Sequence, residues 1–115
     1  MPDLTQMISK TFVSIKGTIR DNYLMFTDTE GNEYTFAGVS NGPDPWIEDI
    51  VGDLNDLLGT PMVIARVDSN DSDSFHSWTF YNFGTVNGYV TIRWCSEDAR
   101  YYGARVIYMI NKDEE

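Results

Sequence analysis

"DPWIEDIVGDLNDLLG", residues 44–59, is the stretch on which the fold class turns. Asp44 can accept hydrogen bonds from free N–H groups at a helix start, Pro45 suits the first helical position, and Gly59 suits the stop. Trp46, Ile47, Ile50, Val51, Leu54, Leu57 and Leu58 recur at helical spacing and predict one buried stripe. Glu48, Asp49, Asp53 and Asp56 fall on the opposite face. Gly52 costs the middle of such a helix up to about 1 kcal/mol relative to alanine, which leaves two short helices as the alternative.

On either side of this segment, apolar and polar residues alternate in short runs separated by turn residues. Seven strands are predicted, near Thr11–Gly17, Tyr23–Asp28, Glu33–Val39, Met62–Asp68, Ser77–Thr85, Tyr89–Cys95 and Ala104–Ile110. The fold expected is therefore α+β: a mostly antiparallel β-sheet in two β-meander units with one amphipathic helix packed on it, forming a single domain over residues 1–115. A faint internal repeat lays Ile8-Ser9-Lys10-Thr11-Phe12-Val13 over Leu58-Gly59-Thr60-Pro61-Met62-Val63, each followed by a hairpin.

The second hairpin is the more aromatic. Asn87-Gly88 between strands is a strong hairpin signal, because both central residues of the favoured turn need positive φ. A two-residue loop there pairs Val86 with Tyr89, Phe83 with Ile92 and Tyr81 with Trp94, and the large apolar pairs mark the core face. Trp78, Phe80, Asn82, Gly84 and Val86 lie on the other face with Tyr89, Thr91, Arg93 and Cys95. That face is either covered by the helix or is a platform in which Trp78, Phe80, Tyr89 and Arg93 serve as anchors. Arg100, Tyr101 and Tyr102 follow on a predicted loop beside it.

Eighteen acidic against eight basic residues give a net charge of −10, which opposes nucleic acid and anionic membranes as direct partners. Glu48, Asp49, Asp53 and Asp56, together with Asp68, Asp71 and Asp73 in a following loop, predict a negative strip suited to a protein with a basic surface. The composition, 42% hydrophobic and 14% aromatic, is that of a globular chain without an apolar run long enough for a membrane span. The absence of a signal-like N-terminus and the single cysteine, Cys95, lead to the expectation of a cytoplasmic protein without disulfides.

Catalytic chemistry finds little support. The chain has no Gly-rich phosphate loop, no nucleophile elbow, no His-Glu-x-x-His and no Cys-x-x-Cys. Cys95 and His76 fall more than about 10 Å apart at the strand rise. Asp68-Ser69-Asn70-Asp71-Ser72-Asp73-Ser74 starts like a calcium loop, but Asp73 stands where glycine is needed and Thr79 where the bidentate glutamate is needed. No enzyme activity, metal or cofactor is expected.

Trp46-Ile47-Glu48-Asp49, Leu58-Gly59, Trp78-Thr79-Phe80-Tyr81, Val90-Thr91-Ile92-Arg93-Trp94 and the Tyr101-Tyr102 pair occur in this order along most of the chain. In these features it resembles a family of small uncharacterised domains encoded by tailed bacteriophages and prophages. The resemblance implies a phage or prophage origin, a non-virion accessory role and a place in the host cytoplasm. The leading expectation is a non-enzymatic protein that binds and inhibits a host protein, such as a defence nuclease or a nucleic-acid-binding factor. The competing one is a small anionic, nucleotide-like ligand held by the aromatic and arginine residues, and a third is a minor structural protein.

Overall fold

The computed structural model describes residues 3–72, 75–97 and 103–111, with backbone alone for 69–72. Among the described residues, eight strands form two four-stranded antiparallel sheets. The first contains β1 (Phe12–Lys16), β2 (Tyr23–Asp28), β3 (Glu33–Val39) and β8 (Arg105–Asn111), in the order β1-β2-β3-β8. The second contains β4 (Trp46–Val51), β5 (Ile64–Ser72), β6 (His76–Thr85) and β7 (Gly88–Glu97), in the order β4-β7-β6-β5. Two 3-10 turns, Leu4–Met7 and Leu54–Leu57, precede the two meanders.

The predicted helix over 44–59 is overturned, and with it the α+β class. Among the described residues there is no α-helix, and the segment is strand β4, a break at Gly52 and the second 3-10 turn. Gly52 has φ +113°, outside any helical conformation, and a Cβ there would come within 2.6 Å of the Tyr89 carbonyl oxygen. Asp44 caps nothing helical and instead accepts from Asn22 Nδ2 at 3.3 Å, while Asp53 caps the 3-10 turn through Asn55 N at 2.9 Å. The apolar residues that suggested a stripe divide between locations. Ile47 and Leu57 are buried, Ile50, Leu54 and Leu58 pack beside the core, and Val51 is 62% exposed. A bulge between Ile47 and Asp49 accounts for a spacing that departs from strand period and imitates a helix.

The β6–β7 hairpin has the predicted faces and a different register. Thr85 pairs with Gly88, Phe83 with Val90 and Tyr81 with Ile92, two residues away from the expected pairing. A slip of two keeps every side chain on its face, which is why the face assignment survives. Neither Asn87 nor Gly88 has positive φ. Thr85 Oγ1 accepts from Asn87 N at 3.1 Å, and Gly88 is needed for space, since a Cβ there would come within 2.5 Å of Asp56 Oδ2.

The two halves exchange their fourth strands. β4 follows β3 in the chain but pairs with β7, and β8 follows β7 but pairs with β3. The segments aligned as a repeat occupy equivalent places: Asp3 and Asp53 cap the two 3-10 turns, and Ser9 and Gly59 follow with φ of 72° and 83°. They also meet, through Ser9 N to the Met62 carbonyl at 2.8 Å and Gly59 N to the Phe12 carbonyl at 3.0 Å.

Side chains from both inner faces form one core. Phe26 lies 4.9 Å from Phe83 and Phe36 lies 5.0 Å from Tyr81, ring centre to ring centre, across the gap between sheets. These tilted and edge-on aromatic pairs add to the burial of area itself. Every second residue of β2, β3 and β7 faces this core, so the alternate residues of each sheet are left to an outer face.

Candidate recognition face

The outer face of the second sheet gathers seven of the nine predicted binding residues whose side chains are described. Going down β6 from the turn, it carries Gly84, Asn82, Phe80, Trp78 and His76, paired with Tyr89, Thr91, Arg93, Cys95 and Glu97 on β7. β4 adds Asp49 beside Arg93 and Trp46 beside Cys95, and β5 adds Asp68 beside Phe80 and Arg66 beside Asn82. Trp78 and Phe80 are half-buried and Tyr89 is 46% exposed, so this is neither a core nor an open polar surface.

The bulge in β4 sets the centre of the face, because it turns Glu48 towards the aromatics. Trp78 Nε1 donates to Glu48 Oε1 at 3.0 Å, and Arg93 Nε lies 2.8 Å from the same oxygen. The Arg93 N–H is turned off the line to that oxygen, so the contact is Coulombic more than a directed hydrogen bond. A second carboxylate, Asp49 Oδ2, stands 3.9 Å from Arg93 Nη2. Glu48, Trp78, Phe80 and Arg93 line a shallow depression of about 320 Å³, and His76 stacks on Trp78 at its margin with ring centres 5.7 Å apart.

A polar chain crosses the neighbouring strands. Arg66 Nε lies 3.4 Å from Asp68 Oδ2, Asn82 Nδ2 donates to that oxygen at 2.8 Å, and Thr91 Oγ1 donates to Asn82 Oδ1 at 2.7 Å. Asp68, the last residue of the predicted strand, is fixed by side-chain partners, and β5 runs on to Ser72 through part of the loop expected for 68–74. Among the described residues no group of three His, Cys, Asp or Glu side chains could hold a metal ion.

The predicted acidic strip is divided. Glu48, Asp49 and Asp68 belong to this face, whereas Asp53 is an exposed cap and Asp56 packs under Gly88 with its carbonyl accepting from Thr85 Oγ1. Asp73, Arg100, Tyr101 and Tyr102 lie outside the described residues, as does the side chain of Asp71. Arg66 and Trp46 complete the face. The apolar spacing places Trp46 in a helix stripe and so hides its place on a strand, and Arg66 is an isolated charge in a strand pattern.

A second feature that sequence reading passed over is the Asp28 cluster at the β2–β3 turn. Asp28 is only 2% exposed and its carboxylate accepts from Glu30 N, Asn32 N, Asn32 Nδ2 and Tyr34 Oη. Burial pushes this carboxyl up, but the four hydrogen bonds outweigh it and hold the group below its ordinary value. Burial, followed by the bond to Asp28, raises the Tyr34 hydroxyl. A broad groove of about 800 Å³ opens beside Tyr34, between the first 3-10 turn and the β2–β3 turn. The signal that could have found the cluster is Asp28 followed four residues on by Asn32, a side chain closing a turn over its own backbone.

An all-β domain of two exchanged meanders, with one aromatic outer face crossed by paired charges, is the class that these observations define. The chain belongs to the family DUF7448, a domain of unknown function, whose model matches residues 5–108. No curated protein and no solved structure matches it. Among the described residues no helix is long and apolar enough to cross a membrane.

Proposed function

We propose that this protein is a non-enzymatic binding module that recognises a basic segment of a protein partner on the outer face of its second sheet. The observation that carries the reading is the depression between Trp78 and Phe80, with Glu48 at its edge. Aromatic faces beside a carboxylate are the chemistry that accepts a lysine or arginine side chain. Arg93 already occupies part of this arrangement and is matched by two carboxylates, Glu48 and Asp49. Across the whole face four carboxylates, Glu48, Asp49, Asp68 and Glu97, stand against two guanidinium groups, Arg66 and Arg93. This surplus argues against an anionic, nucleotide-like ligand, because Arg93 has no unmatched charge to offer it.

The resemblance to phage-encoded domains makes a host protein the first partner to seek, and occupation of a basic functional groove would make the module an inhibitor. The test is capture of host proteins on immobilised protein, eluted along a salt gradient, with four variants compared. Trp78→Ala and Asp49→Lys should each lose the captured protein. Asp53→Asn and Asp56→Asn should retain it, since those side chains lie away from the face. Retention by both Trp78→Ala and Asp49→Lys would overturn the reading.

A further inference from the structure

The first sheet also has an outer face without a covering element among the described residues. Its rows run Lys16, Met25, Thr35, Met109 and then Tyr23, Ala37, Ile107, with Arg105 opposite Val39 at one end. Tyr23 is 41% and Met109 43% exposed, a high value for large apolar side chains on one sheet face. Lys16 and Arg105, both exposed, flank the patch at diagonal positions, and Glu33 stands one row beyond it.

We propose that this face docks onto the outer face of the second sheet of another copy, so that the chain associates head to tail. The two faces match in chemistry. One carries Tyr23, Met25 and Met109 with the basic Lys16 and Arg105 at opposite corners, and methionine side chains adapt to irregular aromatic surfaces. The other has the Trp78–Phe80 centre, around which the acidic groups Glu48, Asp49, Asp68 and Glu97 outnumber Arg66 and Arg93 by two. Because the faces differ and lie on opposite sides of the molecule, the contact is heterologous, and it extends to a chain of copies unless a ring closes.

Four strands about 4.8 Å apart and about seven residues long present roughly 400 Å² of planar face. That is about half of what each partner contributes to an interface of standard size, so the association is weak and depends on concentration. The net charge of −10 opposes it at long range. At about 0.15 M salt the Debye length is about 8 Å, which screens repulsion between whole molecules and leaves rim pairs at contact largely intact. The inference rests on the reading of the second sheet's face as a recognition surface, and identifies one partner for it.

Sedimentation equilibrium of the full chain at that salt, over a wide concentration range, tests it. The weight-average mass should rise past twice that of the protomer for the wild type. Met109→Glu, which places an acid in the first face, and Asp49→Lys, which reverses a rim charge on the second, should each remain monomeric while keeping the wild-type circular dichroism spectrum. Mixed, the two variants retain one good face each and should form a one-to-one dimer that grows no further. A wild type that stays monomeric, or variants that fail to pair on mixing, would overturn the proposal. Capture of a basic host protein by monomeric Met109→Glu would show that the second face still recognises its partner, so failure of the head-to-tail contact is separable from failure of the recognition reading.

Discussion

Asp28 shows how one buried side chain can organise a hairpin. Its carboxylate accepts four hydrogen bonds, three from within the turn and one from Tyr34 on the returning strand. Because these bonds hold the folded-state carboxyl below its unfolded value of about 3.9, the stabilisation is complete above that value. It is lost as pH falls through the lower, folded-state value. The thermal midpoint of the wild type should therefore fall on acidification below about pH 4. Asp28→Asn should start lower, by the equivalent of about 1.5–3 kcal/mol for weakened bonds to a charged group. Its midpoint should then converge on that of the wild type in acid, and parallel curves for the two proteins would refute the assignment. This cluster was legible only as a turn, since Glu30-Gly31-Asn32 signals the reversal but nothing nearby in sequence announces that Asp28 is buried.

At the scale of the element, residues 44–59 separate two readings that sequence pattern alone could not. The seven predicted strands are all present, and β2 and β3 match residue for residue, because their alternation is unbroken. Where alternation is broken by a bulge at Glu48 and a sharp bend at Gly52, the apolar spacing drifts towards helical period, and the capping residues complete the illusion. Gly52 decides between the readings experimentally. In an exposed helix Gly52→Ala would stabilise by up to about 1 kcal/mol. In this structure it must force a side chain into positive φ against the Tyr89 carbonyl, and overpacking with backbone strain costs about 2–4 kcal/mol. Urea unfolding should show a clear drop in midpoint with unchanged slope. The recognition face was legible for a related reason: Trp78, Phe80 and Arg93 fall on one side of β6–β7 in either register, whereas the ion pairs with Glu48 and Asp49 depend on β4, which the sequence presented as a helix.

Over the whole molecule, the exchange of β4 and β8 ties the two sheets together. Neither meander completes its four-stranded sheet from its own half of the chain, so each lacks an edge strand without the other. The faint repeat in sequence hinted at two units. It gave no sign of the exchange, because strand partners at that distance leave no mark in local pattern. Phe83 sits where the consequence is greatest, against Phe26 and Phe36 of the opposite sheet with no exposed surface. Phe83→Ala should cost about 3–5 kcal/mol through lost burial and an unfilled cavity. Because each sheet depends on the other, that loss should appear as one cooperative transition, with the far-ultraviolet signal of the strands and the near-ultraviolet signal of the aromatics shifting together. Resolution of the two signals into separate transitions would mean that one sheet persists without the other, and would disprove the coupling inferred from the exchanged strands.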